Sequence, residues 1–303
     1  MEAGRLSRPL DCADMKVLSD FDGVWTDPCA EGAAVRQELV EQAGRAAGIE
    51  LEEAQRDFEE FERAVLAKPR DYGWISAGRL TAFADEDPFC LPSGLAGWVE
   101  SAPGQRERAY RQAILGAGHA SLSSFADHCF HAATARLRAE HPPAMLPESR
   151  AHFDQLIEAG AEVVVVSNSS EEKVVGWFRS IGVDAGVEQG RALRVVGSAR
   201  KFELGASGEA LSVAGREVQV DRPLYRAVLE TEGPDVVLGD VFSLDLALPH
   251  FLRLKKAPGA PRHTVLRRNA YSPDWVTEKF ADGAIDHVVD SVGELAVLIQ
   301  KLD

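Results

Sequence analysis

Positive charge is scarce in this chain. Against 48 Asp and Glu stand 33 Lys and Arg, a formal charge of −15 over 303 residues. A surface that grips nucleic acid must neutralise phosphates with Lys and Arg, so no nucleic-acid partner is expected. Cysteine is equally sparse: Cys12, Cys29, Cys90 and Cys129 show no paired spacing. That pattern argues against a disulfide framework and for reduced thiols in the cytoplasm. No apolar run approaches the roughly 20 residues that span a bilayer, which argues against a membrane partner. Met1 to Asp14 lacks a hydrophobic signal core. No internal repeat or low-complexity tract is evident.

What remains is the composition of a soluble globular protein, 45% hydrophobic and 27% charged. The length exceeds one ordinary domain, so a core with an accessory domain is the default. Asp20-Phe21-Asp22-Gly23 follows the short apolar run Val17-Leu18 after one residue, Ser19. If Met15 to Phe21 is a strand, Asp20 and Asp22 share one side of it at the carboxyl edge of a sheet. Ala161 to Val166 is a run rich in β-branched residues ending in Ser167-Asn168, and Val236-Val237-Leu238-Gly239 ends in Asp240, with Asp245 close behind. Both read as buried parallel strands. Three such strands therefore end in polar groups, in the order acid pair, Ser-Asn, Gly-Asp with a second Asp.

That ordered set resembles the haloacid dehalogenase-like (HAD) hydrolase superfamily, over about residues 14–28 and 146–303. The resemblance implies an α/β fold with a Rossmann-like parallel sheet core, residues 1–29 and 146–303, and an α-helical cap domain, residues 30–145. It implies Asp20 as a nucleophile that forms an aspartyl-phosphate, and Asp22 as the acid and base serving leaving group and water. It further implies Mg²⁺ held by Asp20, Asp240 and the backbone carbonyl of Asp22 with Asp245 in support, and phosphate oxygens bound by Ser167 and the amide of Asn168. The carboxylate of Asp22 disfavours a dehalogenase, whose halide needs no proton.

The third motif of that superfamily usually carries a lysine, often before proline. Here Arg222-Pro223 stands in that register, while Lys201 lies upstream. Both remain candidates for the catalytic cation, with Lys201 slightly favoured for its chemistry.

Between the first two motifs, spacings of three and four predict amphipathic helices over Leu51–Val65 and Leu122–Leu137, with others at 33–48 and 105–116. Pro88, Pro92, Gly94, Gly97, Pro103 and Gly104 mark a loop-rich passage. His128 and His131 lie three apart, but zinc needs about four ligands, and boundary histidines are the better reading. Lys68, Arg70 and Arg79 fit a substrate anion or a solvated loop.

The function expected is a Mg²⁺-dependent phosphatase for a small phosphorylated metabolite. The alternatives are a phosphomutase or phosphotransferase using the same intermediate, or a non-catalytic HAD-like binding module. The oligomeric state is left open.

Overall fold

The computed structural model describes residues 15–141, 144–278 and 280–302. In chain order the strands are β1 (Met15–Ser19), β2 (Gly73–Ser76), β3 (Arg79–Phe83), β4 (Ala161–Val166), β5 (Ala185–Gly186), β6 (Leu193–Val196), β7 (Ala210–Val213), β8 (Arg216–Gln219), β9 (Val236–Gly239), β10 (His263–Arg267) and β11 (His287–Val289). Seven of them form one sheet in the order β11-β10-β9-β1-β4-β6-β5, every neighbouring pair parallel. The fold is therefore α/β with a doubly covered parallel sheet.

β4 shows why such strands read as unbroken apolar runs. Val163 and Val165 pack on one side with Val174 and Phe178, whereas Val164 and Val166 pack on the other with Tyr225, Leu229 and Phe242. Each face of the strand is buried, at about 1.5–3 kcal/mol for a fully buried valine. The chain runs from β1 to one side of the sheet and returns to fill the other, so β1 lies at the switch point between β4 and β9. Ligands collect at the carboxyl ends of strands at such a point.

The inserted segment contains α1 (Cys29–Ala47), α2 (Leu51–Leu66), α3 (Cys90–Ser101), α4 (Gln105–Gly116) and α5 (Leu122–Glu140). Its two ends meet, with Thr26 bridging Met145 and Leu146 N donating to Trp25 O at 2.9 Å. A buried cluster from Leu39 to Cys129 is drawn from this segment alone.

Three local expectations are corrected. The strand expected to reach Phe21 stops at Ser19, because Phe21 O accepts from Val24 N and Trp25 N and turns the chain. The passage expected as loop contains α3; Pro92 sits in its first turn, where its missing N–H costs nothing. Gly94 lets α3 approach closely, since a Cβ there would lie 3.1 Å from Ala84 Cβ and 3.3 Å from Val65 Cγ1. The inserted segment is also not helical throughout, because β2 and β3 form an antiparallel hairpin. Beyond it come α6 (Ser149–Glu158), α7 (Glu171–Ser180), α8 (Pro223–Glu232) and α9 (Ala247–Lys255). β7 and β8 form a second hairpin, turning at Ala214 and Gly215 with φ 49° and 72°.

Candidate active site

Asp20, Asp240 and Asp245 come together at the carboxyl ends of β1 and β9. Each offers an oxygen within 4.8 Å of the others. Asp20 follows β1 directly, its amide held by Leu238 O at 2.8 Å. Asp240 follows β9, and a single π-helical turn, Phe242–Leu246, brings Asp245 back toward it. Such turns recur at functional sites. Gly23, at φ 78°, passes so close that a Cβ would lie 1.9 Å from Asp240 Oδ2, so only glycine fits there.

Lys201 completes this group. Its ammonium donates to Asp20 Oδ1 at 2.5 Å and to Asp245 Oδ1 at 2.6 Å. Burial opposes its charge, but Asp20 and Asp245 outweigh that and raise its pKa above the usual lysine range. Burial pushes the Asp20 carboxyl up to about 8 despite the pull of Lys201. Asp240 is pushed well above the carboxylate range by burial and by its acidic neighbours. Three carboxylates thus face one ammonium, and two further positive charges would balance them.

Asp240 supplies a second sign of a cation. Its Oδ2 accepts from Tyr271 Oη at 2.6 Å, whereas the buried Oδ1 has no hydrogen-bond partner. An orphaned buried carboxylate oxygen beside two other acids fits a hard divalent ion with oxygen ligands, Mg²⁺ among them.

Asp22 points elsewhere. Its Oδ2 accepts from Ser169 Oγ at 3.0 Å and its Oδ1 from Lys173 Nζ at 3.2 Å. Ser167 is 1% exposed and its Oγ accepts from Ser169 N. Asn168 Oδ1 accepts from Lys201 N at 2.7 Å, which ties the second motif to the lysine loop. The segment Ser167–Ser170 lines the cavity at the start of α7, whose first turn is capped by Ser170. Helix N-termini favour anions.

Arg222 is not among these groups. It is 1% exposed, and its guanidinium donates to Thr81, to Gln219 O and to Lys201 O. Of the two candidate cations, the structure brings Lys201 to Asp20 and sets Arg222 behind Lys201.

A cavity of about 660 Å³ opens above Asp20 and Asp22. Its far wall comes from the inserted segment, including Trp74, Asp87, Phe89, Asp127, Phe130 and His131. His128 is exposed outside that lining, and Arg79 binds Gln219 and Gly205 O instead of facing the cavity. Sequence reasoning passed over Ser169, Asn269, Tyr271 and Asp87, and set Lys173 aside as too early in the chain to be the catalytic cation. Only Lys173 carried a signal, since a lysine in the first turn of a helix opposes the dipole.

Neither a protein-family model nor a curated protein matches the chain. Solved structures do. The chain is similar to a candidate β-phosphoglucomutase from Thermotoga maritima, at 12% identity over 95% of this chain and 100% of that one, with a TM-score of 0.46. It is similar to CbbY from Rhodobacter sphaeroides in complex with phosphate, at 15% identity over 96% and 100%, with a TM-score of 0.42. A HAD phosphatase from Thermococcus onnurineus aligns at 12% identity over 94% and 97%, with a TM-score of 0.45. At such values the chemistry has to come from this chain's own residues.

No helix among the described residues is long and apolar enough to cross a membrane.

Proposed function

We propose that the protein is a HAD-like, Mg²⁺-dependent phosphatase that hydrolyses a small phosphate monoester. The observation that carries this reading is the buried Asp20–Asp240–Asp245 group with Lys201 bonded across it. Asp20 attacks phosphorus, the bond to the leaving oxygen breaks, and an aspartyl-phosphate forms. Asp22, two residues on and facing the same cavity, gives its proton to that oxygen. It then takes a proton from the water that cleaves the intermediate, releasing inorganic phosphate and restoring Asp20. Asp20, Asp240, Asp245 and the Asp22 carbonyl would hold the ion, which when bound draws off phosphoryl charge. Lys201 favours the ionised form of Asp20 against the effect of burial, as the bound ion also would, and meets charge developing in transfer. Ser167 and the amides entering α7 bind the remaining phosphate oxygens.

Charge favours hydrolysis over phosphoryl transfer within a sugar bisphosphate. A mutase must also hold a second phosphate, which requires free cations. Of the lysines and arginines among the described residues lining the cavity, Lys201 is bonded to Asp20 and Asp245, Lys173 to Asp22, and Arg138 to Glu31 at 3.3 Å. Asp87 and Asp127 line the same space. A leaving group that is neutral or cationic, resting on Phe89 and Phe130, suits this wall. The residues from about 30 to 145 then act as a cap that limits substrate size.

The test is phosphate release from a panel of monoesters with Mg²⁺. Asp20→Asn and chelation are each expected to abolish it, chelation reversibly. Full turnover in either condition refutes the covalent metal mechanism.

A further inference from the structure

Arg222 is a buried cation whose bonds all end on neutral oxygens. Nε donates to Gln219 O at 3.2 Å, Nη2 to Thr81 O at 2.6 Å, and Nη1 to both Thr81 Oγ1 at 2.6 Å and Lys201 O. Burying a guanidinium without a carboxylate in contact is costly. What the cost secures is geometric, because one planar fork spans β8, β3 and the loop that carries Lys201.

That loop has no regular structure of its own. Ser198 and Arg200 both have positive φ, 50° and 49°. It is pinned on one side by the second motif: Ser198 N donates to Ser169 O, Ala199 N to Ser167 O, and Lys201 N to Asn168 Oδ1. It is pinned on the other side by Thr81, a residue 2% exposed on the inserted hairpin. Thr81 Oγ1 donates to Phe202 O at 2.9 Å while accepting from Arg222, which holds Lys201 O. Of two consecutive carbonyls, that of Phe202 is therefore held directly by the inserted segment and that of Lys201 through Arg222, which Thr81 holds in turn. Trp74 of the same hairpin stacks on Phe202 at 4.9 Å.

We propose that Arg222 is a positioning residue through which Thr81 fixes Lys201, so that the inserted hairpin aims the ammonium at Asp20. Arg222 touches neither substrate nor phosphoryl group; it acts through the Lys201 carbonyl. The inference rests on the phosphatase reading, in which Lys201 is the working cation. Displacement of a catalytic group by about 1 Å can cost a hundredfold in rate.

The experiment measures kcat and KM for one monoester, binding of beryllium trifluoride with Mg²⁺ as a mimic of the phosphorylated aspartate, and the thermal midpoint. Thr81→Val keeps the shape and removes the hydroxyl. It is expected to lower kcat by about tenfold or more with KM unchanged, and to weaken beryllium trifluoride binding. Thr81→Ser is expected to restore both. Arg222→Lys keeps a cation that cannot span three partners and is expected to fail as Thr81→Val does, which preserves the test if the valine variant does not fold. A lower thermal midpoint with wild-type kcat and beryllium trifluoride affinity in these variants overturns the inference and leaves Arg222 a structural residue. A wild-type protein that neither hydrolyses monoesters nor binds beryllium trifluoride overturns the phosphatase reading, and this inference with it.

Discussion

Asp240 divides its two oxygens between protein and site. Tyr271 donates to Oδ2, Asn269 Nδ2 lies 3.4 Å from the same atom, and Oδ1 is left for a cation. Asp240→Asn keeps the shape and removes the charge, so Mg²⁺ affinity should fall while the fold stays. Tyr271→Phe removes only the donor that orients the carboxylate, and a loss of about tenfold in Mg²⁺ affinity is expected. Calorimetric titration of Mg²⁺ into both variants checks this, and wild-type affinity in Asp240→Asn would refute the ligand assignment. Buried carboxyls also set a pH dependence, Glu86 and Asp20 among them. Burial pushes Glu86 up to about 7, although Phe83 N and Ser243 N donate to it, and Asp20 reaches about 8. Both bind protons more tightly folded than unfolded. Their stabilising contribution is therefore complete below the ordinary carboxylate range and is lost as pH rises through those values. The metal-free protein should melt at a lower temperature at about pH 8 than at about pH 5, and Mg²⁺ should raise the midpoint more at the higher pH. A metal-free midpoint that climbs over that interval would contradict the sign.

Elements whose burial is two-sided or whose periodicity is clean were legible in the sequence, and elements built by close approach were not. β4 and β9 stand out as apolar runs, and α4 occupies the residues that its three-and-four spacing predicts. Ser291 caps the last helix, Val292–Ile299, by accepting from Glu294 N, and the Glu294 carboxylate accepts from Asp290 N. Asp20, Asp240, Asp245, Ser167 and Asn168 could be picked out because each lies at or just beyond a strand end. Lys201 and Arg222 could not be separated, since the choice depends on a loop with positive φ and on a hairpin about 120 residues earlier. α3 was hidden because Gly94 serves a close approach to Ala84 and Val65 and Pro92 falls in the first turn. Gly94→Leu should therefore destabilise by about 1–3 kcal/mol, as the added side chain meets Ala84 and Val65. Gly176 lies inside α7, where a methyl group added to it would have nothing within 4 Å, so Gly176→Ala should stabilise by about 0.5–1 kcal/mol. Denaturant midpoints of the pair check both signs, and equal effects would remove the packing explanation for Gly94.

At the scale of the whole molecule, the described residues of the inserted segment meet the core in two main places. One is the neck, where Thr26 bridges Met145. The other is a seam along β3 and the residues that follow it. There Thr81 meets Phe202 and Arg222, Asp85 forms a bidentate pair with Arg216 at 2.7 and 2.9 Å, and Glu86 accepts from Ser243 N at 2.9 Å. Arg216 also lies over Phe83 and Trp275, 4.8 and 4.4 Å from their ring centroids. A lid hinged only at the neck could be removed with the core left intact, because its two ends are already adjacent. Removal across this seam exposes the Arg222 guanidinium, strips Ser243 N of its acceptor and frees the Lys201 loop on one side. A chain in which residues 30–143 are replaced by a short Gly-Ser linker should therefore lose turnover even on the smallest esters, and its thermal midpoint should fall. If instead the shortened protein hydrolyses small esters at the wild-type rate, the seam contributes nothing to the chemistry and the segment acts on substrate size alone.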